Sequence, residues 1–521
     1  MITDIDMDSA AIEAIAAFER EVGVTGIPSK RIQVGNKEFL KLIVGREAPL
    51  YTSALYECQR NLNPENPFRG AMSLAPTVVD TFPESIEANA LLTLLTRSTR
   101  EVSQHSASRG YTVPYVPFQK REDHQLAQPA SHIVRGRRGV GKSTLIRRAT
   151  ALLAETASIV AVLDMQTYST LVGDDILREV LYDACVALAV AGVASCLRLS
   201  LEPANGKLVQ VAEDILSGSL SLARAPTAIK RALLDLTQKT NTNAFLFLDD
   251  LHLVEHGAQP ILLNTLHAAL KGANGWLKVA GLSSLLNIYS PELRQGLQVP
   301  GDAQFISLDL TLENPEAAEV HLRDILEGFL KAVGYSLTRL VIPDAALQRL
   351  AWANAGVPRD FLQMFARSLE HAQRNRHSAI TLSDVNVAIG EFGQQKMDDL
   401  LRDARNEAGV LRGMLTRLEV LCLEEKKTNA FLIRADNSPE RALIQILSDL
   451  RMVHLIHQSI TPKKAGERFE AFILDYSLFT GFRRRPNIRE MVPQERQFKA
   501  AELRALPKVH EGFFPFQDLE Y

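Results

Sequence analysis

The residues best suited to chemistry lie in one short stretch, Gly136-Arg137-Arg138-Gly139-Val140-Gly141-Lys142-Ser143. Glycine, four residues, glycine, lysine and serine is the Walker A spacing. The glycines let backbone approach an anion where a Cβ would clash. The N–H groups that open the following helix, from Ser143 into Thr144, can bind phosphate with the help of the helix dipole. In such a loop Lys142 reaches the β- and γ-phosphates, and the Ser143 hydroxyl ligates Mg²⁺. The motif predicts that the chain binds a nucleoside triphosphate.

A second group of residues fits the same chemistry. Asp249 and Asp250 end the apolar run 244–248. A carboxylate at a buried strand end can hold Mg²⁺ through water, and its neighbour can orient the attacking water. A helix-capping Asp-Asp pair is the plainer alternative, and the upstream phosphate loop favours the Walker B reading. Ser283, Ser284 or Asn287, after the apolar run 277–282, either meets the γ-phosphate or caps the next helix. Pro358 and Arg359 open a helix after Gly356-Val357, and a cation there can sense the γ-phosphate and couple it to a lid. Arg294 is either an arginine finger for a neighbouring subunit or an ordinary surface arginine.

These residues need a scaffold, and the pattern around them supplies one. His132-Ile133-Val134 leads into the loop, and 144–149 has helical composition. Apolar strands are expected at 158–164, 244–248, 277–282 and 304–308, with helices at 174–194 and 225–240 between them. Strand and helix in alternation predict an α/β fold, a parallel sheet with its site at the carboxyl edge. Helices at 316–333, 344–354 and 360–374, with a short one opening at 380–384, make an all-helical block. Beyond 395 a helix at 409–425, a strand at 430–433, a helical run from 439 through 457 and an alternating strand at 468–475 suggest a winged helix. The N-terminal part shows two amphipathic helices, 9–21 with Ser9 as N-cap and 83–102. An irregular connection at 61–76 and a linker at 106–129 complete it. The expected domains are 1–125 of unknown role, a 126–312 core, a 313–394 lid, a 395–482 winged-helix-like unit and a 483–521 basic tail.

Composition narrows the partners. The chain has 521 residues, 46% hydrophobic and 23% charged, with a net charge of −3, so any polyanion surface must be local. Lys463, Lys464, Arg468, Arg483, Arg484, Arg485, Arg489, Arg496 and Lys499 make the candidate DNA surface. Glu467, Glu470, Glu490 and Glu495 interleave with them, and a solvated charged face is the alternative. Cys58, Cys185, Cys196 and Cys422 form no close pair, which argues against zinc and for a reducing compartment. With no signal-like N-terminus and no run of eighteen apolar residues, a cytoplasmic chain without a membrane span is expected.

The phosphate loop, Leu248-Asp249-Asp250-Leu251-His252, the serines after residue 282 and Ala355-Gly356-Val357-Pro358-Arg359-Asp360-Phe361-Leu362 together resemble AAA+ ATPases. The initiator branch, in which a lid and a winged helix follow the core, is similar from about residue 125 to 480, Ile380-Thr381-Leu382-Ser383-Asp384-Val385 included. That resemblance implies ATP, Mg²⁺, hydrolysis, a homo-oligomer and a DNA-associated assembly in an initiator, mobile-element or phage-defence setting. Asp250 departs from the glutamate usual in that family. Asp-Asp-Leu-His and Gly356-Val357-Pro358 are also similar to STAND signalling ATPases, which implies slow hydrolysis and an alternative: ATP-driven oligomerisation with a protein client.

Overall fold

The computed structural model describes residues 7–34, 37–45, 48–76, 81–100, 115–118, 120–203, 206–403, 408–436, 438–461, 467–480, 485, 487–491, 498–510 and 512–513. The N-terminal part is a folded layer. It comprises α1 (Met7–Val22), β1 (Ser29–Val34), β2 (Lys37–Val44), α2 (Pro49–Asn61), β3 (Met72–Pro76) and α3 (Ile86–Arg100). Its sheet runs β1-β2-β3, the first pair antiparallel and the second parallel. Phe18, Leu40, Leu42, Tyr51, Phe68 and Leu91 are buried beneath it.

After α4 (Glu122–Leu126) the core begins with β4 (His132–Arg135), α5 (Lys142–Glu155), β5 (Ile159–Asp164), α6 (Gly173–Arg198), α7 (Gly206–Leu216) and α8 (Ala225–Thr240). It continues through β6 (Ala244–Asp249), α9 (Ala258–Leu270), β7 (Gly275–Gly281), the two-residue strands β8 (Tyr289–Ser290) and β9 (Gln295–Gly296), and β10 (Gln304–Ser307). The five-stranded sheet has the order β10-β4-β7-β6-β5 and is parallel throughout. All residues of β6 but the last are buried, as expected of a central strand covered on both faces. The strand order brings the ends of β4, β6 and β7 together at one edge.

Four helices form the lid: α10 (Pro315–Ala332), α11 (Asp344–Ala353), α12 (Pro358–Arg374) and α13 (Leu382–Asp403). Proline opens both α10 and α12, where its missing N–H costs nothing. The C-terminal unit holds α14 (Ala408–Glu419), a π-helical turn (Val420–Glu425), β11 (Ala430–Arg434), α15 (Pro439–Asp449), β12 (Val453–Ile460), β13 (Phe469–Leu474) and α16 (Ala500–Arg504). Its antiparallel sheet runs β11-β13-β12, so two helices close on a β-ribbon in the winged-helix manner.

Several expectations are corrected. The helical run through residue 457 is wrong: α15 stops at Asp449, Arg451 takes a left-handed φ of 67°, and 453–460 is the strand β12. The apolar residues there serve a sheet, because Val453 to Leu455 pair with β13. The short helix at 380–384 is the long α13, so the 394/395 boundary falls inside a helix. Ser9 lies within α1 instead of capping it. The connection 61–76 ends in β3, and the presumed linker contains α4. α7 had no counterpart in the sequence reading. One described helix, α6, is long and apolar enough to cross a membrane by length and composition; here Ile176, Val180, Leu181, Cys185 and Leu188 on it are buried in the core. All four cysteines are free and buried.

Candidate nucleotide site

The loop between β4 and α5 has the required backbone. Gly139 and Gly141 take φ of 77° and 108°, which glycine alone adopts without strain. A Cβ on Gly139 would stand 3.0 Å from the Arg359 Cβ. Lys142 is buried, and its Nζ donates to the carbonyls of Gly136 and Arg137 at 2.8 and 3.1 Å. The ammonium is thus held inside the concave loop where phosphate would arrive. Burial depresses its pKa, while Asp250, Asp309, Asp449 and Asp249 oppose that shift. Val140 is buried under the loop and Thr144 is exposed on α5.

Asp249 ends β6 beside β5, and the Ser143 hydroxyl hydrogen-bonds its carboxylate. Burial, then the neighbouring Asp250, pushes the Asp249 carboxyl up to about 6. Asp250 adopts a left-handed φ of 55°, its N–H donates to Asp249 Oδ1 at 3.0 Å, and burial raises its pKa as well. A hydroxyl and two crowded carboxyls suit a hard divalent cation, which would relieve their repulsion. Among the described residues no three His, Cys, Asp or Glu side chains cluster to hold a metal by themselves. That fits Mg²⁺, which takes few protein ligands and shares the substrate's phosphates.

Arg359 joins this group across the lid. Its N–H donates to the Gly139 carbonyl at 3.3 Å, and Asp250 lies within reach of its charge. Pro358 starts the helix that presents it. Ser283 is exposed after β7, and Asn287 donates its N–H to Gln259 Oε1 at 2.8 Å. The Ser284 N–H donates instead to Asp449 Oδ2 at 2.6 Å. Arg294 stays apart, exposed in the turn between β8 and β9 with φ 53°. Of the basic-tail residues, Arg485 pairs with Glu424 at 2.8 Å and Arg489 with Glu502 at 2.9 Å. Lys463, Lys464, Arg483, Arg484 and Arg496 lie outside the described residues.

Other residues at the site take roles that the sequence did not signal. Arg137, read as part of the phosphate cradle, is 3% exposed and works as a clamp. Its side chain donates to Asp309 Oδ1 (3.1 Å) and to the Leu310 and Ala355 carbonyls (3.0 and 2.8 Å). From the supposed linker, Phe118 stacks on His321 with centroids 4.8 Å apart and lies beside Gly141. Arg451 is buried in ion pairs with Asp360 and Asp399, the latter at 2.8 Å.

The fold is a parallel α/β sheet with a glycine-rich loop between β4 and α5 and a helical lid, the architecture that the AAA+ initiator resemblance implied. In structure comparison the chain is similar to a chain of Drosophila ORC bound to DNA (15% identity, 80% of this chain and 94% of the other, TM-score 0.37). It is similar also to Cdc6p of Pyrobaculum aerophilum (15%, 73% and 94%, 0.34) and to a Walker-type ATPase of Pyrococcus abyssi (15%, 70% and 98%, 0.42). No family model and no characterised relative matches the sequence.

Proposed function

We propose that this protein is an ATP-dependent molecular switch. The observation that carries the reading is the convergence of Lys142, Ser143, Asp249, Asp250 and Arg359 at the carboxyl edge of one parallel sheet. The loop N–H groups and Lys142 hold the phosphates. Ser143 and Asp249 would hold Mg²⁺, which would supply positive charge against the phosphate oxygens. Asp250 accepts a hydrogen bond from the attacking water, and Arg359 meets charge developing on the γ-phosphate. The output we propose is a DNA-associated homo-oligomeric assembly, through the cations around 463–464 and 483–485.

A second reading, a signalling switch with a protein client, is favoured by one observation: Arg485 and Arg489 already pair with Glu424 and Glu502. ATP turnover with and without double-stranded DNA, on the natural chain and on Asp250→Asn, separates the two. Stimulation by DNA that the variant abolishes supports the DNA-coupled ATPase. Tight ATP binding with negligible turnover and no DNA effect supports the signalling switch.

A further inference from the structure

Asp449, the last residue of α15, belongs to the C-terminal unit yet sits in the nucleotide site, 6% exposed. Its carboxylate accepts the Ser284 N–H at 2.6 Å, and its carbonyl accepts the Arg138 N–H at 3.1 Å. One of these donors belongs to the phosphate loop, the other to the segment after β7 that faces the phosphates. Burial holds the carboxyl above the usual carboxylate range, Asp309 adds to that, and Ser284 and Lys142 oppose it. A buried carboxylate that accepts the Ser284 N–H and feels the charge of the Walker lysine, on a residue whose backbone carbonyl is anchored by a phosphate-loop N–H, occupies surroundings suited to a terminal phosphate.

The next turn of chain fixes this placement. Arg451 reaches Asp360, the neighbour of Arg359 on α12, and Asp399 on α13, which is also 3.9 Å from Arg138. Asp449 and Arg451 therefore tie the C-terminal unit to the loop and the lid at once.

We propose that Asp449 stands in for the γ-phosphate, so that a bound triphosphate and the docked C-terminal unit exclude each other while a diphosphate and the docked unit coexist. The inference rests on the nucleotide-switch reading and adds the group that couples nucleotide state to domain position. A γ-phosphate beside the Asp449 carboxylate would set like charges a few ångströms apart in a buried site, where repulsion is strong. The carboxylate must leave, and α15 leaves with it. By reciprocity, anything that undocks the C-terminal unit raises affinity for the triphosphate and not for the diphosphate.

The test measures binding of adenosine diphosphate and of a non-hydrolysable adenosine triphosphate analogue to the full chain and to Asp449→Asn. Asparagine keeps an acceptor for the Ser284 N–H and removes the charge. The expected result is a gain of roughly tenfold or more for the triphosphate and little change for the diphosphate. Hydrogen exchange on the natural chain supplies a variant-free arm: the triphosphate should raise exchange across 439–460 and the diphosphate should not. Equal effects of Asp449→Asn on both nucleotides, or weaker triphosphate binding, would overturn the proposal, as would exchange at 439–460 that the triphosphate leaves unchanged or lowers. A natural chain that binds neither nucleotide would sink the switch reading itself, and this inference with it.

Discussion

The N–H of Arg359 donates to the carbonyl of Gly139, 3.3 Å away, so the first turn of the lid helix is joined to the middle of the phosphate loop. This contact makes loop shape and lid position one variable. It also explains why Gly139 tolerates no side chain: its φ is 77°, and a Cβ would meet both Cβ and Nε of Arg359 at 3.0 Å.

Gly139→Ala should therefore weaken nucleotide binding and turnover together, by roughly tenfold or more, since left-handed strain alone costs about 1–2 kcal/mol. Titration with a fluorescent ATP analogue and steady-state turnover check it. An alanine variant with unchanged binding and turnover would mean that the lid is not seated on the loop in solution.

Arg451 neutralises two buried carboxylates from two lid helices, Asp360 being 1% exposed. Arg451→Ala should cost about 3 kcal/mol, the low end for breaking a buried ion pair, because Lys396 stays 3.6 Å from Asp360 and Arg402 stays 2.5 Å from Asp399. Denaturant unfolding measures the loss. A double-mutant cycle with Asp360→Asn should show that the two changes are not additive.

The pH dependence of turnover should follow Asp249. Its carboxyl is raised to about 6, so the ionised form that can hold Mg²⁺ predominates above that value and thins out below it. Turnover should fall as pH drops through about 6, and excess Mg²⁺ should shift the midpoint lower by stabilising the ionised form. The metal-free folded chain binds more protons than the unfolded chain between 3.8 and about 6. This group's contribution to stability accordingly declines as pH rises through that window. A turnover profile flat between pH 5 and pH 7, measured at sub-saturating Mg²⁺, would contradict the assignment.

Lys278 gives a second pH signature, far from the site. It is 1% exposed, and its Nζ bonds the Gln128 and Ala130 carbonyls and His132 Nδ1 at 2.7, 2.6 and 2.9 Å. Burial lowers its pKa from 10.5 to about 7. The unfolded chain thus holds the extra proton between about 7 and 10.5, and stability from this group rises with pH across that range. The natural chain should gain up to about 1.4 kcal/mol per pH unit relative to Lys278→Met. Urea midpoints of both proteins, compared at pH 7 and pH 9, read the difference.

Much of this molecule was legible in the chain. The Walker A spacing, the apolar strands that end at Asp249 and Gly281, and the proline that opens the Arg359 helix are local signals, set by what a tight loop, a buried strand and a first helical turn require. They determined the α/β core, its lid and the residues at the carboxyl edge. The parallel strand order then brought Asp249, Ser143 and Lys142 together, residues whose types had already assigned them roles.

What only tertiary structure decided has a common physical cause: it depends on partners far away in the chain. The apolar residues after Asp449 fit a helix or a strand equally well, and pairing with β13 chose the strand. Nothing local shows that Phe118 stacks on His321, or that α3 packs beside the lid, where Gln373 Nε2 donates to Asn89 Oδ1 at 2.9 Å. The placement of Asp449 is the clearest case. An aspartate at the end of an amphipathic helix is ordinary by itself, and it gains meaning only where folding buries it between Ser284, Arg138 and Lys142.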